Sequence, residues 1–77
     1  MRERLVAMVA SHLDIDPAKL TNEATFVDDL GADSLDQIEL AFKIQDELNL
    51  FVDDDELEEA RTFGQLVRLV EQKAAAQ

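Results

Sequence analysis

Asp33-Ser34-Leu35-Asp36-Gln37-Ile38-Glu39-Leu40-Ala41-Phe42-Lys43-Ile44-Gln45-Asp46-Glu47-Leu48 is the stretch whose periodicity decides the fold. At about 100° per residue, with Leu35 at the origin, Asp46, Glu39, Lys43, Asp36 and Glu47 fall between about 20° and 120°. They form one narrow polar stripe, acidic except for Lys43. Leu40, Ala41, Ile44 and Leu48 cover the opposite side and are expected to face a core. Leu35, Ile38 and Phe42 flank the acids and are expected to be half exposed. A helix is therefore predicted from Asp33 or Ser34 to about Leu48. Asp33 suits its N-cap, and Asp36 sits in the positive first turn.

Outward from this helix the chain stays helical. Leu5, Met8, Val9 and Leu13 make one stripe of a first helix over residues 2–13. Asp14 to Asp33 reads as a long irregular loop, with Pro17, Asn22 and Gly31 as loop formers. Leu20, Phe26, Val27 and Leu30 are expected to tuck under the helices from it. So long a loop in so small a chain tends to be functional. Asp53 to Ala60 reads as a short acidic helix with Leu57 inward. Thr62 can cap a last helix whose stripe is Phe63, Leu66, Val67 and Val70. Ala74 to Gln77 reads as a frayed end. No period-two strand signal or internal repeat is present. The expectation is a single all-α domain over residues 1–77, a small four-helix bundle of three main helices and one short one, with a long first loop.

Composition excludes much. The chain has 77 residues, no Cys and one His. A disulfide scaffold, Cys-ligated metal, iron–sulfur ligation, a multi-His metal site and a protein thiol nucleophile are ruled out. No apolar run approaches the roughly 18 residues of a membrane span, and Met1-Arg2-Glu3-Arg4 is unlike a signal peptide. A cytoplasmic protein, expected to be a monomer, is the reading. Its net charge is −11, and phosphates repel such a chain, so no nucleic acid is expected as partner. The charge is concentrated: Glu23 to Glu59 carries −13 and the remainder +2. A charge run is usually a solvated face, but this one would also steer basic partners. Apolar residues are 47% of the chain, enough for a core. A chain this short buries only about 60% of its unfolded surface, so the fold is expected to be marginal and stabilised by salt or divalent cations.

The sharpest chemical feature is Asp28-Asp29-Leu30-Gly31-Ala32-Asp33-Ser34-Leu35-Asp36, an acidic loop that ends in a Ser at a helix start. Ser and Asp are ordinary N-cap residues. Ser34 is also a candidate modification site, with its hydroxyl open to an enzyme at the loop–helix junction. A phosphate attached there would meet free backbone N–H groups and the positive end of the helix dipole. Gly31 would allow a tight loop approach.

Asp33-Ser34-Leu35 within this run resembles the attachment motif of acyl carrier proteins. Phe26-Val27 before the acidic pair and Ile38-Glu39-Leu40 after the Ser agree with it, as do length, acidity and the long first loop. The resemblance spans about Leu5 to Val70. It implies that a phosphopantetheinyl transferase moves 4′-phosphopantetheine from coenzyme A onto Ser34, flanked by Asp33 and Leu35. The arm's thiol would carry acyl groups as thioesters for acyl-transfer and chain-elongation enzymes of fatty-acid or related synthesis. By matching position, Asp33, Asp36, Glu39, Asp46, Glu47 and Asp54 would steer basic docking patches, with Leu35, Ile38 and Phe42 as apolar contacts. The acyl chain would fold into the core among Phe26, Leu30, Ile38, Leu40, Ile44, Val52, Leu57, Ala60, Leu66 and Leu69.

Three positions depart from the family pattern. Lys43 puts a cation in the acidic stripe, Phe42 replaces the usual Met or smaller aliphatic, and Leu50-Phe51-Val52-Asp53 lacks an Ile-Pro step. They fit a specialised carrier as well as a housekeeping one. A polyketide, peptidyl or D-alanyl carrier, or an unmodified acidic interaction module, are the alternatives. An EF-hand is excluded, since loops started at Asp53 or Asp29 place Glu58 or Ser34 where Gly is required. No metal site is expected. His12 has no flanking motif and reads as a surface residue or a C-terminal helix residue that the dipole favours. With no second His and too short a chain to enclose a cleft, Ser34 lacks hydrolase machinery, and no catalytic residue is expected.

Overall fold

The computed structural model describes residues 1–76. The helices are α1 (Arg2–Leu13), α2 (Ser34–Leu48), α3 (Asp54–Glu59) and α4 (Phe63–Ala75), with a single 3-10 turn, Pro17–Lys19, in the first loop. Asp33, Asp53 and Thr62 cap α2, α3 and α4, each in a reciprocal capping box with Asp36, Glu56 or Gln65. Each box satisfies two backbone donors that a helix start leaves free. Asp14 and Asn49 end α1 and α2 in the left-handed region.

The apolar stripes converge on one core. Leu5, Met8 and Val9 from α1, Leu40, Ala41 and Ile44 from α2, Leu57 from α3, and Phe63, Leu66, Val67 and Val70 from α4 are all buried. Leu13 and Leu48 pack at its edge. Helices α1 and α2 run antiparallel. The Arg4 guanidinium donates to the Glu47 carbonyl at 3.2 Å at one end, and His12 meets Asp36 and Glu39 at the other. Arg2 lies 5.3 Å from the centroid of the Phe63 ring and joins the starts of α1 and α4.

The long first loop is stitched to the α3–α4 junction. The Phe26 N–H donates to Arg61 O at 3.0 Å, Phe63 N–H to Ala24 O at 2.9 Å, and Gly64 N–H to Asn22 O at 3.1 Å. Thr25 and Thr62 form an antiparallel bridge of one rung. Leu20, Phe26 and Leu30 enter the core as expected, but Val27 does not: it is 63% exposed. The turn closed by Thr25 and Asp29, with Asp29 Oδ2 accepting from the Thr25 N–H at 2.8 Å, buries Phe26 and turns its neighbour out. The expected fraying at Ala74 is also corrected. Helix α4 continues to Ala75 because Ala74 packs against the core. Gln77 lies outside the described residues.

Candidate functional site

Ser34 is the first residue of α2 and is exposed. Its position is fixed from both sides. Gly31, at φ +69°, makes the turn, and the Ala32 N–H bonds Phe26 O at 2.7 Å, which anchors the loop with Ala32 buried. Asp33 Oδ1 then accepts from the Asp36 N–H at 2.9 Å, and Asp36 Oδ2 accepts from the Asp33 N–H at 3.2 Å. The Asp33 cap takes only the third-residue donor, so the first-turn N–H groups at Ser34 and Leu35 have no partner within the helix. A hydroxyl on a rigid corner, beside free donors and the positive end of a helix dipole, suits a covalently attached phosphate.

A small dimple beside Ser34 is lined by Gln37, Ile38, Asp54, Leu57 and Glu58. Next to it is a cleft of about 320 Å³ between the first loop, α2 and the α3–α4 junction. Phe26 and Ala60 line this cleft, with Thr25, Val27, Asp28 and Arg61. Gln37 and Glu58 border both depressions, so the surface is continuous from Ser34 to the cleft. Sequence reasoning passed over Gln37 and Glu58; they are ordinary polar helix residues until α2 and α3 are brought side by side.

The residues expected to line an acyl chain divide. Phe26, Leu30, Leu40, Ile44, Val52, Leu57, Ala60 and Leu66 belong to the buried core. Leu69 is half-buried at its edge, and Ile38 is 38% exposed. Ile38 thus belongs with the outer face of α2, where Leu35 is 61% and Phe42 65% exposed. Asp33, Glu39, Asp46, Glu47 and Asp54 are exposed around them. Asp36 is half-buried, because its carboxylate turns back to complete the cap.

His12 lies in the last turn of α1, as one of its two readings has it, but the surface reading is corrected: its side chain is only 9% exposed. Nε2 lies 3.3 Å from Glu39 Oε2 and 3.5 Å from Asp36 Oδ1, yet makes no hydrogen bond. The antiparallel packing of α1 on α2 folds the imidazole against the first turns of α2.

Residues 3–70 match the family model described as the phosphopantetheine attachment site. The acyl carrier protein of Caulobacter vibrioides is 44% identical over 73 residues, covering 95% of this chain and 94% of that one. That of Phenylobacterium zucineum is 42% identical over 74 residues, covering 96% and 94%. The chain belongs to the acyl carrier protein family. The solved acyl carrier protein of Enterococcus faecalis superposes with a TM-score of 0.75 at 27% identity, over 95% of this chain and 98% of that one. The family's prosthetic group is 4′-phosphopantetheine, and the exposed corner at Ser34 fits its phosphodiester.

Proposed function

We propose that this carrier bears 4′-phosphopantetheine on Ser34 and presents acyl groups to fatty-acid or related acyl-chain synthesis enzymes. The observation that carries the reading is the exposed Ser34 hydroxyl on a corner locked by the Asp33–Asp36 capping box. The arm supplies a thiol, which this Cys-free chain lacks and on which acyl groups ride as thioesters. Everything else is done by the chain's own residues.

Asp33 and Asp36 hold the backbone of the corner, so the hydroxyl is presented without a search through loop conformers. The Ser34 and Leu35 N–H groups, which have no partner within the helix, would offset for a phosphodiester on Ser34 the repulsion from nearby carboxylates. Leu35, Ile38 and Phe42 offer an apolar patch, and Glu39, Asp46, Glu47 and Asp54 surround it with negative charge. A phosphopantetheinyl transferase or an acyl-transfer enzyme with a basic patch would be steered there and released quickly. Exposed ion pairs contribute only about 0–1 kcal/mol each. The cleft bordered by Gln37 and Glu58 leads from Ser34 towards Phe26 and Ala60, and so is the entry for an acyl chain to the core.

The test is intact mass after incubation with coenzyme A and a broad-specificity phosphopantetheinyl transferase. The expected result is the gain of one phosphopantetheine by the parent and none by Ser34→Ala, with both folded. A folded, initially unmodified parent that gains nothing overturns the reading and leaves an acidic interaction module.

A further inference from the structure

The imidazole of His12 is desolvated without a compensating hydrogen bond at Nε2, which has to be explained. Its two neighbours across the α1–α2 packing are carboxylates, at 3.3 Å and 3.5 Å. One ligand atom from each of His12, Asp36 and Glu39 lies within 4.8 Å of the others. We propose that His12, Asp36 and Glu39 form a binding site for a transition-metal dication of the Zn²⁺ class, where the end of α1 meets the start of α2.

The spacing from the imidazole to each carboxylate is that of neighbouring ligands on one ion. Ligands at about 2.0–2.2 Å from a tetrahedral zinc stand about 3.3–3.6 Å apart. The two Nε2–oxygen distances fall in that range before any ion is added. The carboxylate of Asp36 is already oriented, because its other oxygen is held by the Asp33 N–H. Such outer contacts fix a ligand's direction. Glu39 is half exposed and gives an ion a route in, while Nε2 itself is buried from water behind it. Three protein ligands leave a fourth position for water. The imidazole nitrogen selects the class: carboxylates alone suit Mg²⁺ or Ca²⁺, and a nitrogen ligand favours Zn²⁺. Coordination requires neutral imidazole and displaces any proton on Nε2. The competing explanation is a cationic His12 that pairs with both acids and holds no metal.

Three features make the experiment clean. The chain has one His and no Cys, and the Ser34→Ala chain has no thiol arm. On that chain, ZnCl₂ and MgCl₂ are titrated separately by calorimetry near neutral pH. Long-range ¹H–¹⁵N spectra follow the single imidazole. One zinc site is expected, weakened at least about tenfold in His12→Gln and in Glu39→Gln, the smallest loss seen when even outer contacts are removed. The Nε2 resonance should move to a metal-bound position under Zn²⁺ and stay in place under Mg²⁺. An Nε2 resonance unmoved by saturating Zn²⁺, or equal zinc affinity in folded His12→Gln, overturns the proposal. The spectra need no His12 substitution, so a variant that fails to fold leaves the decision intact.

Discussion

Gly64 sits where α4 begins against the first loop, and its missing side chain is what lets the two backbones meet. A Cβ there would stand 2.9 Å from the Asn22 carbonyl oxygen and 3.1 Å from its Cα. That carbonyl is pinned by the Gly64 N–H itself, so it cannot withdraw cheaply. Alanine would gain up to about 1 kcal/mol of helix propensity, but overpacking of this kind costs about 1–3 kcal/mol. Gly64→Ala is expected to destabilise, lowering the melting midpoint by several degrees in a thermal scan. Gly31→Ala meets no atom within 4 Å and should lose only the strain of φ +69°, about 1–2 kcal/mol. Glu56 gives a pH-dependent case. Its side-chain bond to Lys73, at 2.9 Å, and then the Asp53 N–H hold its carboxyl below the ordinary value of 4.5. A depressed carboxyl stabilises the fold above its unfolded pKa and loses that contribution as pH falls through the folded one. Lys73→Met should therefore lower the urea midpoint slightly near neutrality, a small loss because the pair is partly exposed, and leave it unchanged in acid where Glu56 is protonated in both states.

Helix α2 carries both the fold and the site, and its face can be tested as a unit. Replacing Asp46 and Glu47 by Lys leaves the capping box and core untouched. The expected outcome is slower association with a basic partner enzyme at low salt, converging on the parent rate as salt rises. Equal stopped-flow rates at low salt would remove the steering role. This face was readable from spacing alone, because a helix repeats its environment every 3.6 residues and the acids fall on one side. Leu35, Ile38 and Phe42 as outward residues followed from the same wheel, and Asp33 as cap from the ordinary residue preference of a helix start. What escaped is what has no period. Phe26 and Val27 are adjacent apolar residues in an irregular loop, and only the Thr25–Asp29 turn decides which one is buried. The bridge of Thr25 and Thr62 is one rung long and leaves no strand pattern. His12 follows the dipole rule at the end of α1, but its burial depends on a neighbour more than twenty positions away, which local spacing does not encode.

At the scale of the whole molecule, −11 charges share a body with a radius of gyration of 11.1 Å. The Debye length at physiological salt is about 8 Å, so acids on the same face repel through much of the structure. The −13 segment from Glu23 to Glu59 covers the later half of the first loop, α2 and α3. Those are the elements that border the cleft beside Ser34. Repulsion therefore acts across the seam that an acyl chain would have to part, and lowers the cost of opening there without removing any core contact. Unpaired surface carboxylates also leave ample room for loosely held dications. Added MgCl₂ should raise the urea midpoint, and by more than NaCl at equal ionic strength, because a dication gathers at paired acids as well as screening them. The slope of the transition should stay the same, since the surface exposed on unfolding does not change. The response should persist in His12→Gln, because it draws on the whole acidic face rather than one imidazole. An unchanged midpoint under MgCl₂ would mean that self-repulsion does not set the stability of this fold, and that the seam beside Ser34 is opened by its partners alone.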